Sequence, residues 1–287
     1  MINLDVVKAT SRKIMSCKRG QAFAGLVCSL FCLTGKPSCN HAHSPFRCVF
    51  KTTSLLGFSY SSANSITDLN NILDELLDAV AASRGEANVR KEKREYHLFG
   101  HSYGGLLAYN FLASPSLPTT QLGENSDPKP SLQSRCQALL LSNAAVSMKA
   151  ANDEYDRYYK QNPFKFWNEH ACSVGIPPPL QDSMNNAGSV WAGMDVVLND
   201  IALPRPRRGH QQKQQHDRSA VFPQHVLILT GSSDFGLKAS TEQAWKDYLF
   251  HCDVQGVHFD DCAHYPFYEK PNEFGSAMDK FLDKIEA

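Results

Sequence analysis

Ser102 lies in a segment whose residue types and spacing suit nucleophilic catalysis. It is the central residue of Gly100-His-Ser-Tyr-Gly104, where a short apolar strand is expected to turn sharply into an apolar helix. Such a turn lifts the serine hydroxyl out of the sheet and places it at a helix N-terminus, where developing negative charge is stabilised. The segment therefore predicts a serine nucleophile, provided that the chain also supplies an acid and a histidine.

An acid and a histidine follow the serine in that order, each after a predicted strand. Asp234 ends the segment Gly231-Ser-Ser-Asp, and His264 lies in the loop Ala263-His-Tyr-Pro before the last predicted helix. Because a serine hydroxyl is a weak nucleophile, His264 is expected to take its proton and later to donate it to the leaving group. Asp234 is expected to orient the imidazole and to stabilise its cationic form.

Other acids and histidines lie near these positions in the sequence. Asp260 and Asp261 are closer to His264 and remain alternatives for the orienting acid. The buried strand followed by Gly-x-x-Asp favours Asp234. His101 is expected to line the turn around the serine rather than to act as the base.

Strands and helices alternate around these residues. Apolar residues from Ile66 to Val80 recur at helical spacing, with Ser65 or Thr67 as a candidate helix cap. Further helices are expected from Gly105 and over 241–250 and 271–285. A short apolar strand is expected over 96–99, buried strands over 136–142 and 226–230, and a last strand over 254–259. The alternation predicts an α/β fold with a mostly parallel sheet and helices on both faces. Because the carboxyl ends of parallel strands meet at one edge of the sheet, the three candidate residues can converge there.

The predicted core is made of two separate stretches of the chain. Residues 51–145 and 220–287 form the α/β core, and residues 146–203 form a helical cap inserted after the strand that follows the Ser102 helix. Residues 204–219 are a low-complexity basic loop, expected to be solvated because no aromatic residues are interleaved with the charges. A formal net charge of zero likewise gives no reason to expect a nucleic-acid partner.

Residues 1–50 form a basic N-terminal region that contains a single acidic residue, Asp5. Its apolar run, 22–33, is too short for a confident membrane span, so no stable membrane insertion is expected. The region is either a targeting segment, organellar or secretory, or a divergent or truncated front end of the core. If it is not a targeting segment, the apolar run is interpreted as a buried strand or helix, or as part of a poorly ordered extension. The cysteines do not follow a metal-ligand pattern and are interpreted as reduced thiols, which favours a cytoplasmic protein.

Together, Gly100-His-Ser-Tyr-Gly-Gly105, the strand end at Asp234 and His264-Tyr-Pro-Phe-Tyr-Glu-Lys-Pro271 resemble the α/β-hydrolase superfamily. Within it, the chain resembles proline iminopeptidases and related aminoacyl amidases, because segments 156–172 and 190–194 are similar to their helical cap. The resemblance implies a serine hydrolase that forms an acyl-enzyme and removes an N-terminal, proline-like residue from small peptides or aminoacyl amides. It implies neither a metal nor an organic cofactor. Both a monomer and a homo-oligomer remain open.

The resemblance also implies a site for the α-amine of the substrate and an oxyanion hole. Glu169, Asp195 or Asp200 would supply the carboxylate for the amine, and Trp191 lies in the same part of the cap. The Tyr103 N–H is the expected first donor of the oxyanion hole. The His-Gly-Gly-Pro-Gly loop that supplies the second donor in the family is not found in the sequence.

Two other functions remain open at this point. The same three residues would serve a carboxylesterase or lipase-like enzyme that acts on an ester. The missing oxyanion loop is instead typical of a catalytically impaired homologue.

Overall fold

The computed structural model describes residues 30–33, 62–83, 95–114, 131–176, 178, 181, 203, 222–236 and 241–286. The predictions for the basic loop 204–219, for most of the region 1–50, and for Trp191, Asp195 and Asp200 lie outside the described residues.

A mostly parallel sheet forms the centre of the described structure, as the sequence predicts. Its strands are β1 (Leu30–Leu33), β2 (Tyr96–His101), β3 (Cys136–Ser142), β4 (His225–Gly231) and β5 (Asp253–Phe259). They lie side by side in this order; β1 is antiparallel to β2, and every later neighbour is parallel. The end of the apolar run 22–33 therefore pairs as a strand with the strand that leads to Ser102.

Helices connect the strands and cover the sheet. They are α1 (Ser62–Ser83), α2 (Tyr103–Ala113), α3 (Met148–Gln161), α4 (Pro163–Phe166), α5 (Thr241–Tyr248), α6 (Pro266–Glu269) and α7 (Pro271–Glu286). The predicted capping of α1 by Ser65 or Thr67 is wrong, because the helix begins at Ser62 and both residues lie inside it. Within the described ranges, no helix is long and apolar enough to cross a membrane.

Two apolar clusters pack against the sheet. Leu139 and Leu141 of β3 belong to a cluster with α1 and α2, whereas Leu140 belongs to a second cluster with Phe274 and Phe281 of α7. Since successive side chains of a strand point to opposite faces, these clusters cover the two faces of the sheet. Burial on both faces explains why β3 is apolar along nearly its whole length.

The turn between β2 and α2 brings two backbones unusually close together. Ser102 has φ 54° and ψ −128°, in the left-handed region that most side chains avoid. A Cβ atom on Gly100 would lie 2.5 Å from the Gly104 oxygen, and one on Gly105 would lie 2.3 Å from Ala144 Cβ. Gly100 is therefore required by the close approach of the strand and helix that hold Ser102, and Gly105 by the close approach of α2 to the residues that follow β3.

Replacing Gly105 by alanine is expected to destabilise the protein by about 1–3 kcal/mol, because the new methyl group overlaps Ala144. Gly275→Ala is the matched control. Gly275 lies in α7 with no surrounding atom within 4 Å of an added Cβ, so its replacement should stabilise the helix by up to about 1 kcal/mol. Urea unfolding followed by circular dichroism measures both, and equal effects at the two positions would contradict the close packing at the turn.

Candidate active site

Asp234 and His264 contact each other directly at the carboxyl edge of the sheet. His264 Nδ1 and Asp234 Oδ1 are 2.9 Å apart, and the two side chains are 7% and 0% exposed. Because a carboxylate can only accept hydrogen bonds, Nδ1 carries the proton and Nε2 is left able to accept one. The imidazole is therefore in the tautomer that a general base requires.

The Asp234 carboxylate has few other hydrogen bonds. Oδ1 also accepts from the Gly236 N–H at 2.9 Å, and the buried Oδ2 has no hydrogen-bond partner among the described residues. A buried charge with so few donors interacts strongly with a neighbouring imidazolium. The alternative acids, Asp260 and Asp261, are exposed.

Ser102 lies at the end of β2, beside the end of β3. Its N–H donates to the Ser142 oxygen at 2.9 Å, and its own carbonyl oxygen accepts from the Gly105 N–H at 3.0 Å. The ring of the preceding residue, His101, packs on His264 with 4.8 Å between centroids. The imidazole of His264 thus lies next to the turn that carries the serine. Tyr103 is the first residue of α2, so its amide adjoins Ser102 at the helix N-terminus.

His101 is fully buried and forms part of the wall of the turn, as expected. It packs against the rings of His264, Tyr265 and Phe267, at 4.8, 5.2 and 4.9 Å. Burial, and then the charge of His264, lower the pKa of His101 well below its ordinary value. His101 is therefore neutral at physiological pH.

Replacing His101 by phenylalanine is expected to reduce the loss of stability at low pH. The unfolded chain protonates this histidine below its ordinary pKa of 6.5, whereas in the folded chain the lowered pKa keeps it neutral. The unfolded state then binds more protons than the folded state. As the pH falls from 6.5 towards the folded-state pKa, this residue therefore lowers the free energy of unfolding of wild type by up to about 1.4 kcal/mol per pH unit. Urea unfolding at pH 7, 6 and 5 tests this, and equal pH slopes for the two proteins would refute it.

Asn143 joins the ends of β3 and β4 to the loop 260–265 that carries His264, called the histidine loop below. Its φ is 45°, a conformation that asparagine tolerates better than most residues. Its N–H donates to the Leu229 oxygen at 2.9 Å, its Nδ2 donates to the Ala263 oxygen at 2.8 Å, and its Oδ1 accepts from the Gly231 N–H at 3.1 Å. Sequence analysis missed this role, although an asparagine directly after a buried strand was a usable signal.

Residues 231–236, which carry Asp234 and are called the acid loop below, lie backbone against backbone with the histidine loop. A Cβ atom on Gly231 would lie 2.2 Å from the Ala263 oxygen and 2.5 Å from the Cys262 oxygen. The Ser233 N–H also donates to the Cys262 oxygen at 2.8 Å. Such an approach fixes the separation of the two loops and hence that of Asp234 and His264.

The described part of the predicted cap contacts both of these loops. The His264 N–H donates to the Ala171 oxygen at 3.0 Å, and His170 Nδ1 lies 2.9 Å from the Ser233 oxygen. Both cap residues belong to a short π-helical turn, Trp167–Ala171. Glu169 lies in the same turn but is exposed, with its carboxylate 3.6 Å from Lys165 Nζ.

An aromatic cluster adjoins His264 through Phe235. The Phe235 ring packs on the imidazole with 4.5 Å between centroids. Phe235 also contacts Tyr155 and Phe166 of the predicted cap, at 5.6 and 5.5 Å between centroids. These three residues are called the aromatic wall below.

Residues 40–277 match the model of the alpha/beta hydrolase family. The chain belongs to the alpha/beta hydrolase family. Membership supports an enzyme that hydrolyses its substrate, and it agrees with the parallel sheet and its covering helices. Comparison with curated protein sequences finds no match.

Several solved structures are similar to this chain at low identity. Proline iminopeptidase from Mycobacterium smegmatis is 20% identical, with a TM-score of 0.42 over 75% of this chain and 72% of that one. MenH from S. aureus is 16% identical, with a TM-score of 0.47 over 82% and 80%. A thermophilic esterase is 16% identical, with a TM-score of 0.41 over 86% and 78%. Similarity at this level does not assign a substrate.

Proposed function

We propose that the protein is a serine hydrolase in which Ser102 is the nucleophile, His264 the general base and acid, and Asp234 the residue that orients His264. The observation that carries the proposal is the buried Asp234–His264 hydrogen bond, 2.9 Å long. It lies next to a turn that holds Ser102 at positive φ. The order serine, acid, histidine along the chain supports the same roles.

The reaction would proceed through an acyl-enzyme. His264 Nε2 takes the Ser102 proton as the serine oxygen attacks the substrate carbonyl, and the resulting imidazolium is stabilised by Asp234. The Tyr103 amide, at the N-terminus of α2, would donate to the oxyanion. His264 then protonates the leaving group, and a water molecule activated by the same imidazole releases the acid. Tyr103 is the one oxyanion donor that the sequence identifies.

The favoured substrate is a small peptide or aminoacyl amide with an N-terminal, proline-like residue. The resemblance of the cap to that of proline iminopeptidases supports this choice, and Phe235, the half-buried ring of the aromatic wall that packs on His264, would pack well against an apolar ring. Glu169, Asp195 and Asp200 are the candidate carboxylates for the substrate amine, with Trp191 as a further contact. The same apolar wall also suits the acyl chain of an ester, which is why a carboxylesterase is the second candidate.

Rates of hydrolysis of proline β-naphthylamide and p-nitrophenyl butyrate separate the two candidates. We expect a higher kcat/KM on the amide and a loss of about 10³-fold or more in kcat for Ser102→Ala on either substrate. Ser134→Ala, which changes an exposed serine, is the matched control and should leave both rates unchanged. Preference for the butyrate would favour the esterase.

A fluorophosphonate probe tests whether the site is functional at all. Wild type and Ser134→Ala should be labelled, and Ser102→Ala should not. Failure to label well-folded wild type would reject both enzymes in favour of a catalytically impaired homologue.

A further inference from the structure

Glu269 is a buried carboxylate that the proposed reaction does not use. It is the last residue of α6 and is 8% exposed. Burying a charge is costly unless hydrogen bonds compensate for the water that is lost. The hydrogen-bond partners of this side chain therefore indicate why it is buried.

The Glu269 carboxylate accepts hydrogen bonds from the amides on both sides of His264. Oε2 accepts from the Ala263 N–H at 2.9 Å, and Oε1 accepts from the Tyr265 N–H at 2.9 Å. A single carboxylate thus fixes the N–H groups of the two residues that flank the candidate base. Bonds from amides to an ionised acceptor are stronger than those between neutral groups.

The same carboxylate also joins the histidine loop to the predicted cap. Oε2 accepts from the Ser173 N–H at 3.0 Å and from the Ser173 hydroxyl. Ser173 lies two residues after Ala171, whose oxygen accepts the His264 N–H. Glu269 is therefore bonded on one side to the loop that carries His264 and on the other to the segment against which that loop rests.

Capping of a helix would explain only part of this arrangement. Tyr265 is the N-cap residue of α6, and its N–H donates to Glu269 Oε1. A side chain whose only role was to cap the helix would also accept this bond. The bonds from Ala263 and Ser173 lie outside the helix and contribute nothing to its cap. They do, however, restrict the backbone from which the imidazole extends.

We propose that Glu269 is a positioning residue that sets the place of His264 relative to Asp234 and Ser102. It acts by holding the two amides that flank His264 and by tying them to Ser173. The inference rests on the proposed function in one respect: the position of His264 affects the rate of hydrolysis only if His264 is the base. The restraint on the loop itself does not depend on any substrate.

Glu269→Gln is the variant that tests the proposal, with Glu273→Gln as the matched control. An amide side chain accepts through one of its two ends only, so one of the flanking N–H groups loses its acceptor. We expect kcat on the preferred substrate to fall about tenfold or more while KM changes less than twofold. The reason is that the variant misplaces the reacting groups but leaves the aromatic wall in place. Glu273 is an exposed residue in the first turn of α7, and its replacement should leave both constants unchanged.

Two measurements that need no turnover separate this proposal from the proposed function. In wild type, the Ala263 and Tyr265 amides should be protected from hydrogen exchange, and the His264 Nδ1 proton should give a downfield NMR signal. Glu269→Gln should lose one of the two protections and broaden the Nδ1 signal, whereas Glu273→Gln should change neither. A folded Glu269→Gln protein with wild-type kcat and an unchanged Nδ1 signal would overturn the proposal.

Wild type alone decides the question if the variant does not fold. Rapid exchange of both flanking amides would overturn the proposal, and protection of both would support it. If wild type lacks hydrolase activity but shows this protection and the Nδ1 signal, the proposed function fails while the restraint by Glu269 stands.

Discussion

The contact between Asp234 and His264 requires two loops from neighbouring strands to approach each other more closely than side chains normally allow. Gly231 meets this requirement, because any Cβ there would overlap the Cys262 and Ala263 carbonyl groups. Asn143, at the end of β3, then bonds to Gly231 at the end of β4 and to the histidine loop. The pair is thus fixed by backbone contacts around it, which is the preorganisation that electrostatic catalysis depends on.

The described part of the predicted cap contributes to the same construction. His170 and Ala171 contact the acid loop and the histidine loop, and Ser173 bonds to Glu269 behind His264. Phe235, directly after Asp234, packs on the imidazole and on aromatic residues of this segment. A change in this part of the chain would therefore affect the position of His264, the proposed base, as well as any substrate that contacts the aromatic wall.

The sequence best predicts those structural features that depend on the local pattern of apolar residues and turns. The mostly parallel sheet followed from short apolar runs between helices, and the contact of Asp234 with His264 followed from their positions after parallel strands. Asn143 and Glu269 were not assigned a role, because their partners are distant in sequence or are backbone groups without a side-chain signature. The cap of α1 was misplaced because the helix extends one turn beyond its apolar stripe. The pairing of Leu30–Leu33 with β2 likewise depends on tertiary contacts that a short apolar run does not specify.

The central claim is that Ser102, His264 and Asp234 act as one unit, and the rate of Ser102 phosphonylation by a fluorophosphonate tests it most directly. The rate is measured by intact mass for wild type, Asp234→Asn, His264→Ala and the double variant. If Asp234 acts only through His264, each single change should slow labelling by about 10²-fold or more, and the double variant should be no more than about threefold slower than His264→Ala. Labelling at the wild-type rate in either single variant, or effects that multiply fully in the double variant, would contradict the account.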